Sequence, residues 1–400
     1  MDGVSPPETL ERPRVRGQPL DLGSRPLLVF WEATRACRLS CRHCRAEAIE
    51  QPLPGELSTA EALSFVESLT AFGRPAPVLV ITGGDPLMRR DLGTVLERVR
   101  ELELPRALAP SVTPLLTTER LQWLRELGVS TISISLDGAG AGVHEAMRGV
   151  PGHFAATLAA LAAARAAGVT VQVNTIVSRD TVSELPGIAG IVSGSGASIW
   201  ELFFLVKVGR GVDVRELPPP ENEEVCHFLV DASCYGFVVR TVEAPFFRRV
   251  VEWRRVEPGL PLDPGPLYLR LCEQLRARLG PPRFDPRAPT KSTRDGKGIA
   301  FVGHDGEIYP SGFLPLSLGN VRSDSLVDVY RRHPLLRSIR AAEFSGRCGG
   351  CDYADLCGGS RARAFAASGD PLGEDPACAY GLKGAATPSA NGSRRGSQSR

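Results

Sequence analysis

The chain has 400 residues, 42% of them apolar, and a formal net charge of +2. That is enough apolar content for a sizeable core and too little charge for a nucleic-acid surface. No run of about 18 apolar residues occurs, and Met1-Asp-Gly-Val-Ser-Pro-Pro has no basic stretch ahead of an apolar one, so neither a membrane span nor a secretory signal is expected. A reducing cytoplasm is the setting this implies, and there the ten cysteines bind metal more readily than they form bridges.

Residues 1–25, rich in Pro, Arg and Glu, read as a disordered N-terminus. Leu27-Leu-Val-Phe-Trp-Glu32 reads as a buried strand and leads straight to Cys37, Cys41 and Cys44. Ser58, with Glu61 three residues on, forms a capping box for a helix carrying Leu63, Val66 and Leu69 on one face. Val78–Thr82 is a second strand and ends in Gly83-Gly84-Asp85-Pro86. A helix through Leu92, Val95, Leu96 and Val99 follows, then a weaker strand at Arg106–Ser111 and a helix at Thr118–Leu127. Ser130–Leu136, Val169–Val177 and Ser198–Val206 are three more strands, with helices at Phe154–Gly168 and Ser183–Val192 between them. Strand and helix alternate six times, the pattern of a parallel sheet, and the short apolar strands suit burial on both faces.

Glu221–Gly236 reads as a helix outside this repeat. Residues 257–295 carry prolines at 258, 261, 264, 266, 281, 282, 286 and 289 and read as a linker or a loop across the barrel mouth. Ile299–Val302 and Glu307–Tyr309 flank His304-Asp-Gly as a hairpin, Leu326–Tyr330 begins a helix, and 384–400 is a Gly/Ser/Arg tail.

A parallel barrel keeps its chemistry in the loops at the carboxyl ends of its strands. The three cysteines, Gly83-Gly84-Asp85-Pro86, Val112-Thr113-Pro114 and Gly209-Arg210-Gly211 all fall there. Three thiolates at CxxxCxxC satisfy three irons of a cubane cluster and leave the fourth open. Zinc, with adjacent His43 as fourth ligand, is the other reading; disulfides would suit a small secreted scaffold. Gly83 and Gly84 permit close backbone approach with free carbonyls and an acid beside them, or make a plain strand-to-helix turn. Arg148 suits a carboxylate, or lies on the surface. Asn174 is an amide in a strand otherwise fit for burial, so it needs partners. Cys348, Cys351, Cys357 and Cys378 form a second group that can close a full cluster or hold zinc. Cys226, Cys234 and Cys272 read as inert buried thiols, with Cys272 near the substrate as the alternative.

CxxxCxxC after a first strand resembles the signature of the radical S-adenosylmethionine (SAM) enzymes, and the C-terminal cysteines resemble their SPASM extension, which holds auxiliary [4Fe–4S] clusters. The resemblance spans residues 25–383. It comes nearest to the radical SAM proteins of haem biosynthesis, through Trp31-Glu-Ala-Thr-Arg, Cys357-Gly-Gly-Ser-Arg-Ala-Arg-Ala and Gly369-Asp370-Pro371. It implies an α/β fold: a partial (β/α)6 TIM-like barrel over 26–236, a helical and proline-rich segment over 237–295 and a small cysteine-rich SPASM/twitch-like extension over 296–383. It also implies a [4Fe–4S] cluster on Cys37, Cys41 and Cys44, with SAM on the open iron. Gly83, Gly84, Asp85 and Pro86 would meet the SAM amino group, Ser135 and Arg148 its carboxylate, and Asn174 its ribose. His43 stands where the family has an aromatic residue, and would lie near the adenine with Val206. A second [4Fe–4S] cluster would take Cys348, Cys351, Cys357 and Cys378. The family's extension usually carries seven cysteines; here Ser311 follows Tyr309-Pro310 where a cysteine often stands, and Arg361 stands where another would follow Cys357, so one auxiliary cluster is the economical count.

What the resemblance implies about activity is reductive cleavage of SAM to methionine and a 5′-deoxyadenosyl radical, which abstracts hydrogen from a substrate. A low-potential ferredoxin or flavodoxin would supply the electron. No general acid or base is named by the sequence. Three readings of function follow. The first is an enzyme altering tetrapyrrole side chains, with Arg240, Arg248 and Arg249 pairing propionates. The second is a maturase of a ribosomally made peptide. The third is a zinc-stabilised binding module without catalysis.

Overall fold

The computed structural model describes residues 21–256, 265–290 and 293–382. Most of the N-terminal 1–25 segment, Pro258, Pro261 and Pro264, and the 384–400 tail lie outside the described residues.

Nine strands form one sheet. They are β1 (Leu28–Glu32), β2 (Val78–Thr82), β3 (Arg106–Leu108), β4 (Thr131–Ser135), β5 (Thr170–Val177), β6 (Ile199–Phe204), β7 (Val238–Val242), β8 (Ile299–Val302) and β9 (Ile308–Tyr309). Their spatial order is β7-β6-β5-β4-β3-β2-β1-β8-β9. From β1 to β7 each strand lies parallel to the next in sequence. A helix crosses between each pair, as parallel pairing demands. The first of these helices, Thr59–Ser68, starts at the capping box read in the sequence: Ser58 Oγ accepts from the Glu61 amide at 3.3 Å, and Glu61 Oε2 accepts from the Ser58 amide at 2.8 Å. The fold is thus the mixed α/β, partial-barrel arrangement expected.

Side chains alternate across each strand. Val29, Trp31, Leu79, Ile81, Ile132, Ile134, Val173, Trp200 and Leu202 are fully buried and share one core with the helices. The alternate set is only half-buried, and on β4 to β6 it is largely polar: Ser133, Ser135, Gln172, Asn174 and Glu201. Burial on both faces therefore holds for the helix side alone, because the concave side of a partly closed sheet stays open.

The helical and proline-rich segment 237–295 contains β7 and two helices, Phe246–Val256 and Pro266–Leu279, the second within the stretch read as a linker. The latter packs on the outer helices Leu185–Ser195 and Pro219–Ala232 and buries Leu267, Leu271 and Leu275, so this part does not cross the barrel mouth. Its proline at the first helical position starts the helix, since no N–H is needed there. The expected hairpin β8–β9 forms, and β8 lies parallel to β1 at the sheet's other flank. Among the described residues no helix is long and apolar enough to cross a membrane.

Candidate active site

The cysteine loop leaves β1 at Glu32 and is fastened on three sides. Arg45 and His304 meet the buried Glu32 carboxylate at 2.9 and 3.1 Å, tying the loop to the hairpin. Burial would raise the Glu32 carboxyl, but Arg45 and His304 hold it below its ordinary value. Glu56 accepts from Thr34 Oγ1 and the Arg35 amide at 2.8 and 2.9 Å. From the loop after β6, Arg210 donates to the carbonyls of Cys41 and Ala48 at 2.9 and 3.0 Å, and its amide donates to the Cys44 carbonyl. Gly209 at φ +52° makes that clasp possible, since a Cβ there would stand 2.4 Å from the Arg45 carbonyl.

Gly83 and Gly84 press the end of β2 against this loop. A Cβ at Gly83 would meet the Thr34 carbonyl at 2.3 Å, and one at Gly84 the Ala36 carbonyl at 2.3 Å. The Gly84 and Asp85 amides donate to those same carbonyls at 2.7 Å each. Asp85 is fully buried, and its carboxylate turns inward: it accepts from Thr113 Oγ1 at 2.9 Å and from the Leu87 and Ser111 amides. It knots the loops after β2 and β3 together. Pro86 opens the short 3-10 turn Pro86–Met88. Ser111 Oγ, unmarked in the sequence, bridges the Gly84 carbonyl at 3.0 Å and Cys37 Sγ at 3.5 Å.

Arg148 ends the helix Ala141–Arg148 and is buried beside the thiols. One guanidinium nitrogen lies 3.6 Å from Cys41 Sγ and the other 2.6 Å from Asp137 Oδ2. Burial raises the Cys37 and Cys41 thiols, and Arg148 counteracts part of that rise at Cys41. Burial likewise works against ionised Asp137, but Arg148 and His43 hold its carboxyl below the usual range. His43 Nε2 lies 3.9 Å from the same oxygen, and burial lowers its pKa to about 4. Behind Asp137 stand two histidines that sequence reasoning missed, His144 and His153, both buried.

Across the concave face Ser135, Asn174, Glu201 and Arg240 fall in one lateral row. Gln172 Nε2 donates to Asn174 Oδ1 and Glu201 Oε2, 2.8 Å each, which engages the strand amide through its oxygen and leaves its NH2 to the concave face. Burial raises the Glu201 carboxyl, and Arg240 works against that rise. Polar residues at every second position of β4 and β5, with Glu201 alone on β6, were the sequence signal that this face is polar. Val206 packs with Leu314 and Ala362 in a small apolar cluster between the end of β6 and the last helix.

Cys348, Cys351, Cys357 and Cys378 all line one small cavity of about 30 Å³. Arg249 lies in its wall, paired with Glu223 by two hydrogen bonds of 2.8 and 2.6 Å and stacked 4.2 Å from the Trp253 ring. Burial pushes the Cys357 and Cys378 thiols up to about 12 and about 11. Cys226 is fully buried, burial pushes its thiol well up, and it lies near enough to feel charge on Cys378 and Cys357. Cys272 is buried on the outer helix Pro266–Leu279, 3.6 Å from Asp231 and away from the strand ends. All ten cysteines are free thiols. Among the described residues no three Cys, His, Asp or Glu side chains gather tightly enough to share one bare ion. A cubane offers each thiolate its own iron, so its sulfurs stand farther apart than those around one zinc. Both thiol groups, each with buried arginine beside it, have the donor chemistry of an anionic iron–sulfur centre.

A parallel half-barrel with a three-thiol loop at the carboxyl end of its first strand defines an iron–sulfur enzyme of the radical-generating kind. Residues 31–189 match the family model described as the Radical SAM superfamily. The AdoMet-dependent heme synthase of Oleidesulfovibrio alaskensis is 36% identical over 357 residues, 88% of this chain and 87% of that protein. The AdoMet-dependent heme synthase of Methanosarcina barkeri is 33% identical over 89% of this chain and 97% of that protein. In fold the chain is similar to Streptococcus suis SuiB bound to S-adenosylmethionine, with TM-score 0.66 and 13% identity over 89% of this chain and 78% of that one. The chain belongs to the radical SAM superfamily, of the haem-biosynthesis type, and is an enzyme that takes a [4Fe–4S] cluster and SAM. The reading as a binding module without catalysis is thereby set aside.

Proposed function

We propose that this radical SAM enzyme modifies carboxylate-bearing side chains of a tetrapyrrole. The observation that carries the reading is similarity to AdoMet-dependent heme synthases over nearly the whole length of both chains. Cys37, Cys41 and Cys44 would hold the SAM-binding cluster, and when bound the cluster and SAM supply a carbon radical able to take hydrogen from an unactivated position. The chain's own residues do the rest. Asp137 fixes Arg148 between itself and Cys41, leaving a guanidinium edge for the SAM carboxylate. Gly83 and Gly84 bring backbone beside the cysteine loop, and Ser135 and Asn174 offer hydroxyl and amide along the concave face. Asp85 serves by joining loops, and Val206 by packing against the last helix.

Of the three arginines considered for propionates, Arg249 is engaged by Glu223. Among the described residues Arg248 has a buried Nη1 with no partner and only a long hydrogen bond, 3.4 Å, to Thr293. It is the cation we assign to a substrate carboxylate, with Arg240 beside Glu201 as the second. Cys348, Cys351, Cys357 and Cys378 would hold a second [4Fe–4S] cluster, and a low-potential ferredoxin or flavodoxin would deliver electrons. The units at 26–236 and 296–383 would serve as radical-generating and auxiliary-cluster parts, with 237–295 between them.

The test is anaerobic incubation of reconstituted protein with SAM, a reductant and iron porphyrins that carry propionate side chains. Formation of 5′-deoxyadenosine together with porphyrin mass loss equal to carbon dioxide plus hydrogen supports the reading. Formation of 5′-deoxyadenosine with every porphyrin unchanged overturns the substrate class and moves attention to peptides.

A further inference from the structure

The helix Arg361–Ser368 begins with an arginine that has no exposed surface. Every hydrogen bond its guanidinium makes among the described residues goes to a neutral carbonyl or to sulfur. Nε donates to the Gly359 carbonyl at 3.3 Å, and Nη1 to the Pro371 and Gly373 carbonyls at 3.2 and 2.6 Å. Nη2 donates to Cys348 Sγ at 3.7 Å. One face of the guanidinium lies 4.4 Å from the Phe344 ring centroid. Its neighbours are matched differently: Arg249 is paired with Glu223 and Arg363 with Asp375. A buried cation without a carboxylate is costly unless some other anion faces it. Asp295 accepts from the Arg361 and Ala362 amides and Asp375 is taken by Arg363, so the anion left to the guanidinium is the thiolate group of the four-cysteine cavity.

The backbone is shaped for this contact. Gly359 holds φ +64°, and a Cβ there would stand 2.5 Å from Arg361 Nη2 and 3.1 Å from Cys348 Sγ. Any side chain would block the path by which the guanidinium reaches the sulfur. Arg361 also occupies a place where the SPASM pattern would put another cysteine, so a cation stands where a further ligand would be.

We propose that Arg361 is a potential-setting residue of the auxiliary centre, raising its reduction potential through its charge and its N–H bond to Cys348. This rests on reading the four-thiol cavity as an iron–sulfur site. A [4Fe–4S] cluster on four thiolates is a dianion when oxidised and a trianion after one electron is added. A fixed cation and a hydrogen bond to a ligand sulfur favour the more negative form. Only an electron is exchanged, and in the test it comes from dithionite.

The experiment is a redox titration followed by electron paramagnetic resonance, with iron counted beforehand. It compares full-length protein with Arg361→Gln and Arg361→Lys, each in a background with Cys37, Cys41 and Cys44 changed to Ala so that one cluster is seen. At a fixed potential the reduced-to-oxidised ratio is expected to fall at least tenfold in Arg361→Gln, 59 mV for one electron, and less than tenfold in Arg361→Lys. A Gln variant with full iron and a change below tenfold overturns the proposal. If Arg361→Gln fails to load, Arg361→Lys decides: full iron with less than a tenfold change supports it, a larger fall overturns it. If neither variant loads, the charge serves assembly, and the potential-setting role is overturned. If the background protein itself holds zinc in place of about four irons, the reading of the cavity fails and takes this inference with it; the metal count tells that failure from the others.

Discussion

His144 Nε2 and His153 Nδ1 lie 2.7 Å apart, with ring centroids 5.0 Å apart and nearly parallel planes. The outer contacts fix the proton between them. His153 Nε2 faces the Val112 carbonyl at 3.0 Å and must carry hydrogen, so its Nδ1 accepts. His144 Nδ1 receives the Asp137 amide at 3.1 Å, so its Nε2 donates. The pair works only with both rings neutral. It joins the loop after β3 to the loop after β4, and so holds Asp137 where it can grip Arg148.

The pH dependence of stability follows. Burial, with Arg148 nearby, lowers the pKa of His144 to about 3, against an ordinary 6.5, and that of His153 falls too. A depressed pKa gives stability that is whole above the unfolded value and lost as pH falls from about 6.5 toward the folded value. Urea unfolding at pH 7.5 and pH 5.5 should show a loss of roughly 1 kcal/mol per pH unit below 6.5 for one such histidine. His144→Phe should reduce that dependence. It should also cost about 1–3 kcal/mol at pH 7.5, because the Asp137 amide and His153 Nδ1 lose a buried partner.

The two glycines at the end of β2 should tolerate nothing larger. In Gly84→Ala the new methyl carbon would lie 2.3 Å from the Ala36 carbonyl, which is backbone and has no rotamer to escape into. The expected loss is about 1–3 kcal/mol, with fewer irons held by the cysteine loop. Gly190→Ala, where a Cβ meets nothing within 4 Å, is the control and should unfold with the parent. Chemical denaturation and iron counts on both variants decide it.

Much of this site was legible in the sequence because its ligands sit at fixed short spacing: Cys37, Cys41 and Cys44 share one loop, and Gly83-Gly84 announce close approach. The six strands were legible because each puts apolar residues at least at every second position and is followed by a helical stretch. β7 was not, since Val238-Val-Arg-Thr-Val242 is short and lies next to proline-rich chain. The histidine pair was not, because His144 and His153 lie on two helices and meet only after both pack on β4 and the loop of Val112. Register across strands is equally silent in one sequence, which is why the Ser135–Asn174–Glu201–Arg240 row emerged only from pairing. Arg249 read as a ligand for substrate because its partner Glu223 is 26 residues away.

Cys41→Ala should abolish 5′-deoxyadenosine formation while leaving the C-terminal thiols intact. Iron should fall from about eight per chain to about four, the content of one four-thiolate cubane. The Cys41 sulfur is also the one that Arg148 reaches, so the variant leaves a buried arginine with Asp137 alone. Unchanged 5′-deoxyadenosine yield in the variant would mean that this loop does not hold the SAM-binding cluster.

Arg248 and Arg249 are adjacent yet should fail in opposite ways. Arg249→Leu strands the Glu223 carboxylate, which is largely buried and bound through both oxygens, and removes the stack on Trp253. Breaking such a pair from one side costs about 3–5 kcal/mol, visible as a lower urea midpoint and poor loading of the second cluster. Arg248→Leu removes no ion pair and a single long hydrogen bond, so its urea midpoint should move by less than about 1 kcal/mol. Burial already lowers the Arg248 pKa to about 10, against the pull of Cys357 and Asp295, which leaves it charged at neutral pH without an ion pair among the described residues. A substrate carboxylate would relieve that. Losing it should raise KM about tenfold or more for a propionate-bearing porphyrin, with kcat little changed, as expected for uniform binding. Steady-state turnover on one porphyrin series, with and without esterified propionates, separates the two residues: esterification should mimic Arg248→Leu and add nothing to it.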